Sequence, residues 1–256
     1  MSTKLGDLKP RPVAPLRALQ AFHKLVKNRE DTRLVFEFFE ALNGKTETKF
    51  FNRMLSSNYG KFIAENPNHI GQFLSDRKTL ESFGADTFAS RYLHYLDSES
   101  LSVEGVNEAA WEHAPEYMAS LKDEYPHIYA IGYMTQLTHD LYHVLTGYGR
   151  DPLGEALLLV FTATMTGVRG PAFLGRLAGL RIRYEVPSWP VGRMMAEAVR
   201  NARAAEDFPT TNLTEYMHLP INEARRQLNV TRPKLYKATL KSWRGPMPVE
   251  PEAEAV

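Results

Sequence analysis

The 256-residue chain reads as an all-α, single-domain multi-helix bundle with a metal-binding helical hairpin, and three observations predict this. Apolar residues recur at helical spacing almost throughout. Alternation of the kind a half-buried strand needs is nearly absent. Asn, Asp, Gly and Pro stand where helices should stop and start. No fixed-period repeat is visible, which argues against a solenoid. Roughly eight to ten helices of ordinary length are expected.

The elements follow in order. Leu16, Leu19, Phe22 and Val26 mark a first helix, and Leu34, Val35, Phe38, Phe39 and Leu42 a second, which Asn43-Gly44 ends. Asn66-Pro67, Asp86 ahead of TFASRYLHYL, Asp151-Pro152 and Gly170-Pro171 read as caps or first-turn prolines. From Tyr125-Pro126 to Thr146 the pattern predicts one helix, stopped by Gly147 and Gly149. The next helix starts with Asp151 as N-cap and Pro152 at its first position, and it should return antiparallel. At about 100° per residue, Met134, Leu137, Leu141, Val144 and Leu145 form a core stripe. His139 and His143 fall almost opposite, beside Gly132 and Gln136, and Asp140 flanks them. The run ALLLVFTATM (156–165) reads as a helix buried on most sides.

Composition excludes several function classes. With 43% hydrophobic residues, 24% charged and a formal net charge of +1, no global field points to nucleic acid. The chain has no cysteine, hence no disulfide, no thiolate nucleophile and no sulfur ligand, and a metal would need His, Asp, Glu or water. Residues 156–165 supply about half the roughly 20 apolar residues that a bilayer span requires, so any membrane is met from its surface. The N-terminal MSTKLGDLKPRPVAPL has neither a signal-peptide core nor an arginine-rich presequence and is expected to be a disordered leader of a cytoplasmic protein. The acidic MPVEPEAEAV end is expected to be disordered too.

Two histidines at i and i+4 stand one helical turn apart, about 6 Å between Cβ atoms, within reach of a single ion. Asp140 can be a third ligand or an acceptor that orients an imidazole. Glu155 falls in the first turn after the reversal, where an antiparallel helix brings it back level with the histidines. His139, Asp140, His143 and Glu155 thus form a candidate two-nitrogen, two-oxygen set, open to water or substrate and suited to Zn, Mn, Fe, Co or Ni. The plainer alternative is a solvated helix face that happens to carry histidines, and on spacing alone both readings stand.

The stretch HDLYHVLTGYGRDPLGE resembles the HDxxHx11E signature of the coenzyme Q biosynthesis proteins of the Coq-four family. RPVAPLRALQAFHKLVKNREDTRLVFEFFEAL is similar to that family's N-terminal helices, and LPINEARRQLNV (219–230) to its closing helix. The likeness covers residues 12–232 and leaves a leader at 1–11 and a C-terminal extension at 233–256 with no function assigned. It implies an all-helical, peripheral-membrane protein of ubiquinone biosynthesis with zinc on His139, Asp140, His143 and Glu155. It further implies oxidative decarboxylation at ring carbon one of a polyprenyl hydroxybenzoate precursor, or a scaffold that organises the other enzymes of the pathway. Zinc has no redox chemistry although that step is a net oxidation, so either the ring meets dioxygen directly or the ion is iron, manganese or cobalt.

Around this core stand further expectations. Arg150 either holds a substrate carboxylate or pairs with an acid of the hairpin, and Asp151 is expected as the cap of the next helix. In PAFLGRLAGLRIRY (171–184), Phe173, Leu177, Leu180 and Tyr184 share one face with Arg176 and Arg183 along its edge. That suits a helix lying on the inner or cytoplasmic membrane, or an ordinary amphipathic cover of the core. Arg169 reads as a surface arginine. The remaining histidines, at 23, 69, 94, 113, 127 and 218, show no ligand spacing. Partners expected are a polyprenylated aromatic or quinone, a membrane surface, the other biosynthetic enzymes and a second copy of the chain. An HD-type phosphohydrolase is the remaining alternative, weakened because that class draws further ligands from distant helices.

Overall fold

The computed structural model describes residues 10–28 and 31–245. The acidic end from 246 and the leader up to residue 9 lie outside the described residues. Helices recur because proline at the first position and short polar caps start them one after another. They are α1 (Pro15–Lys27), α2 (Thr32–Asn43), α3 (Lys45–Ser56), α4 (Asn58–Glu65), α5 (His69–Ser75), α6 (Arg77–Ser82), α7 (Phe88–Glu99) and α8 (Gly105–His113). Next come α9 (Pro115–Glu124), α10 (Pro126–Leu137), α11 (His139–Thr146), α12 (Pro152–Thr166), α13 (Arg169–Glu185), α14 (Val191–Ala204), α15 (Ile221–Gln227) and α16 (Lys234–Ser242). The count exceeds the expected eight to ten because caps at Ser57, Asp76 and Thr87 cut the region after α3 into short pieces, each accepting a backbone N–H two or three residues on. Asp86 is not the cap expected of it. Thr87 caps α7, and Asp86, at φ 60°, pairs with Arg91 instead.

Helix α12 is the centre of the molecule. Leu153, Leu157, Leu158 and Phe161 are all at most 1% exposed, each worth about 2 kcal/mol of burial. It packs against α13 and α14, while α10 packs against α3, α4, α5, α8 and α9. A smaller apolar cluster joins α1 and α2 to Leu174 of α13. Here the first helix departs from the expected stripe. Ala18, Ala21 and Leu25 face α2, and Leu16 and Leu19 are left 78% and 61% exposed. Small alanines let α1 lie close on α2, and that register turns the two leucines outward.

The segment beyond 233 is not merely a tail. Glu197 of α14 accepts from the N–H groups of Lys234 (3.2 Å) and Leu235 (3.1 Å), capping α16, and Tyr236 is 3% exposed. No helix among the described residues is long and apolar enough to cross a membrane.

Candidate metal centre

The hairpin begins with a break. Instead of one helix from Tyr125 to Thr146, α10 ends at Leu137 and α11 starts at His139. The Thr138 hydroxyl donates to the Met134 carbonyl at 3.0 Å, a local bond that competes with the helical ladder and disturbs it there. Gly147 stops α11 in the left-handed region at φ 79°. Asp151 then caps α12, accepting from Leu153 (3.2 Å) and Gly154 (3.1 Å), as expected. The reversal is tight because Gly154 has no side chain: a Cβ there would lie 2.1 Å from the Gly149 carbonyl oxygen. This closeness returns Glu155 to the histidines.

His139 Nε2 and His143 Nε2 stand 3.2 Å apart. Glu155 Oε1 lies 3.4 Å from His143 Nε2, and Oε2 lies 3.9 Å from His139 Nε2. Asp140 joins the histidines with ligand atoms within 4.8 Å of one another, and no other group of three such side chains occurs among the described residues. Donors on a tetrahedral zinc with bonds of 2.0–2.1 Å sit about 3.4 Å apart, so these residues fit a metal ion. The donor chemistry agrees. His143 Nδ1 lies 3.0 Å from the Tyr148 carbonyl, which can only accept, so Nδ1 keeps a proton and, once the second proton leaves, the Nε2 lone pair faces the centre. Its ring stacks on Tyr95, with centroids 5.5 Å apart.

The charges are interdependent. Burial alone would lower the His143 imidazole and raise the Glu155 carboxyl, but their pairing outweighs it: His143 is raised and Glu155 lowered. Burial, then the neighbouring His143, holds His139 below its ordinary range. Burial raises Asp140. The face is not the solvated surface of the plainer alternative, since His143 is only 2% exposed.

The family model for "Coenzyme Q (ubiquinone) biosynthesis protein Coq4" matches residues 8–234. The chain belongs to the Coq4 family. That family is described as one of coenzyme Q (ubiquinone) biosynthesis. A curated relative, the "Ubiquinone biosynthesis protein COQ4 homolog, mitochondrial" of Bos taurus, is 24% identical over 178 residues, which are 69% of this chain and 62% of that protein. The alignment thus spans less than two thirds of the relative's length. A crystal structure from Nostoc punctiforme PCC 73102, named for ubiquinone biosynthesis, superposes with a TM-score of 0.52 at 14% identity, covering 84% of this chain and 98% of that one. That likeness shows the fold.

In this Coq4-family chain the four donors line a largely apolar cavity of about 1110 Å³, together with Phe22, Phe39, Gln136, Leu159 and Leu174. Arg150 lines it too, forms an ion pair with Glu99 of α7 at 3.6 Å, and its charge also acts on the hairpin acids Asp140 and Glu155. Arg169 is exposed, as expected. Of the α13 face, Phe173, Leu180, Arg176 and Arg183 are exposed, whereas Leu177 is half-buried against the α1–α2 cluster.

Sequence reasoning missed the supports of the site. Arg225 of α15 donates to the carbonyls of Leu145 and Val144, both at 2.8 Å, satisfying the last turn of α11. Buried Asn107 donates to Gln136 at 2.7 Å. Tyr95 and Tyr236 touch the hairpin from α7 and α16. All are partners distant in sequence, and no local spacing announces them.

Proposed function

We propose that the chain is a metal-dependent oxidative decarboxylase acting at ring carbon one of a polyprenylated hydroxybenzoate precursor. The observation that carries this reading is the grouping of His139, Asp140 and His143 within 4.8 Å, with Glu155 3.4 Å from His143, on the wall of an apolar cavity of about 1110 Å³. Ordinary small-molecule sites reach about 1,000 Å³, so this one has room for a ring and a length of isoprenoid. Zinc, or iron, manganese or cobalt, held by those four residues would neutralise the ring carboxylate and polarise the ring.

The chain's own residues shape the rest. Arg150 is placed on the cavity wall to hold an anionic group of the substrate. A Cβ on Gly132 would meet nothing within 4 Å, which leaves open space about two turns before His139. Gln136 accepts from Asn107 through Oε1, so its amide N–H groups remain to donate to a phenolic oxygen. With dioxygen as sole oxidant the reaction balances as precursor acid, water and dioxygen giving hydroxylated ring, carbon dioxide and hydrogen peroxide. The ring-to-carboxylate bond breaks, a ring-to-oxygen bond forms, and the two electrons go to dioxygen.

The substrate's tail requires a membrane. Phe173, Leu180 and Tyr184 of α13 are 50%, 64% and 87% exposed beside Arg176 and Arg183, and α1 leaves Leu16 and Leu19 exposed. Both helices also line the cavity, through Phe22, Leu25, Leu174 and Ala178, so apolar cargo can pass from a bilayer into it. Other enzymes of the pathway and a second copy of the chain complete the proposed partners.

The test is to incubate metal-replete protein with the carboxylated precursor in air. The expected result is one carbon dioxide per hydroxylated ring, abolished by His143→Ala while the helical circular dichroism persists. A precursor left unchanged with every candidate ion overturns the reading. The size and apolarity of the same cavity favour a second reading, a lipid-holding scaffold in which the ion merely clips α11 to α12. In that case His143→Ala would lose thermal stability and partner binding together.

A further inference from the structure

All of helix α16 but its first residue lies beyond the residues matched by the family model, which end at 234. Nevertheless it reaches the reversal between the metal-binding turns. The Tyr236 hydroxyl donates to Asp151 Oδ2 and accepts the Gly149 N–H at 2.9 Å. Its ring packs edge to face on Tyr148, with centroids 5.5 Å apart.

Each of these contacts is one step from a ligand. Tyr148 offers its carbonyl to His143 Nδ1 at 3.0 Å, so the ring against Tyr148 bears on the orientation of His143. Asp151 divides its work between its two oxygens: Oδ1 caps α12 and Oδ2 takes Tyr236, while its own carbonyl accepts the Glu155 N–H at 2.9 Å. Moving Asp151 therefore moves the helix end that carries Glu155. The anchor is itself fixed, because both oxygens of Glu197 hold the first turn of α16.

We infer that Tyr236 is a positioning residue of the metal centre, setting through Tyr148 and Asp151 the separation of His143 from Glu155. The inference rests on the metal-site reading above. Groups that hold ligands in place commonly govern metal affinity by 10- to 100-fold, although they never touch the ion. Tyr236 does so from a segment absent from the family match, so affinity in this chain depends on an appended helix.

The experiment uses the full chain and zinc alone, with affinity read by competition against a chromophoric chelator and geometry read from the visible spectrum of the cobalt-substituted protein. Tyr236→Phe keeps the ring and removes the hydroxyl. It is expected to weaken zinc about 10-fold and to shift the cobalt bands. Leu240→Ala, which loosens α16 without touching the reversal, should change neither. Asp151→Asn keeps a cap oxygen but weakens the bond to Tyr236, and its effect combined with Tyr236→Phe should be less than additive. Should Tyr236→Phe not fold, the cobalt spectrum of Asp151→Asn alone reads the same link. Wild-type affinity and an unshifted spectrum in the folded variants overturn the positioning role. Wild-type protein that takes up no zinc instead overturns the metal reading on which it stands.

Discussion

At the scale of single residues, the clustering of the candidate ligands was legible because its geometry is local. An i, i+4 histidine pair, an adjacent acid and a glycine-bearing reversal determine which side chains can meet. What holds them was not legible, since Tyr95, Arg225 and Tyr236 arrive from helices far along the chain. Replacing both His139 and His143 with alanine should take bound metal from about one ion per chain to none, by elemental analysis, with the helical signal retained. The buried His143 imidazole also predicts a pH dependence. Its proton is held more tightly than usual in the metal-free protein, above the ordinary value of 6.5. The stabilisation from the His143–Glu155 pair is therefore full below that value and fades as pH rises through the raised one. An incoming ion must displace that proton, so zinc affinity should climb with pH beyond 6.5 before levelling. Titrations at several pH values check this, and an affinity already flat at pH 6.5 would contradict it.

At the scale of elements, the glycines of α10 and α12 have opposite roles. Gly132 sits in the middle of α10 facing open space, where alanine adds helix propensity and meets nothing. Gly132→Ala should stabilise the protein by about 1 kcal/mol in denaturant unfolding. Gly154 presses on the Gly149 backbone, so Gly154→Ala should destabilise it by about 3 kcal/mol and lower metal uptake. The cap at Asp151 was readable from Asp-Pro. The break at Thr138 was not, because a threonine that bonds back to the preceding turn has the same apolar periodicity around it as one that does not. Helix α1 was found from its leucines, yet its alanines make the buried face. Periodicity locates a helix more surely than it chooses the side that packs.

At the scale of the whole molecule, the all-helical class followed from pattern and punctuation, and the helices of the described residues bear it out. The cavity could not be read from sequence. It is a gap between helices whose lining residues come from α1–α3 and α8–α13, and a phenylalanine that faces it is indistinguishable by type from one in the core. Exposed Phe173 and Leu180 give it a proposed route to lipid. The double variant Phe173→Asp, Leu180→Asp should release the protein from anionic vesicles in a sedimentation assay while leaving zinc content at the wild-type level. Retained vesicle binding would move the membrane contact elsewhere.

All four candidate ligands lie between His139 and Glu155, within seventeen consecutive residues. A cross-link over so short a loop removes little chain entropy, about 3 kcal/mol at most for 15 residues, and ties no distant parts together. An ion held there would be a local fastening whose loss need not be felt across the core. Chelation should speed amide hydrogen exchange in α11, the start of α12 and the docked α16, and leave α10 and α14 as slow as before. A metal-starved molecule would then remain folded in its bulk and open only at the hairpin, where it could be reloaded without folding anew.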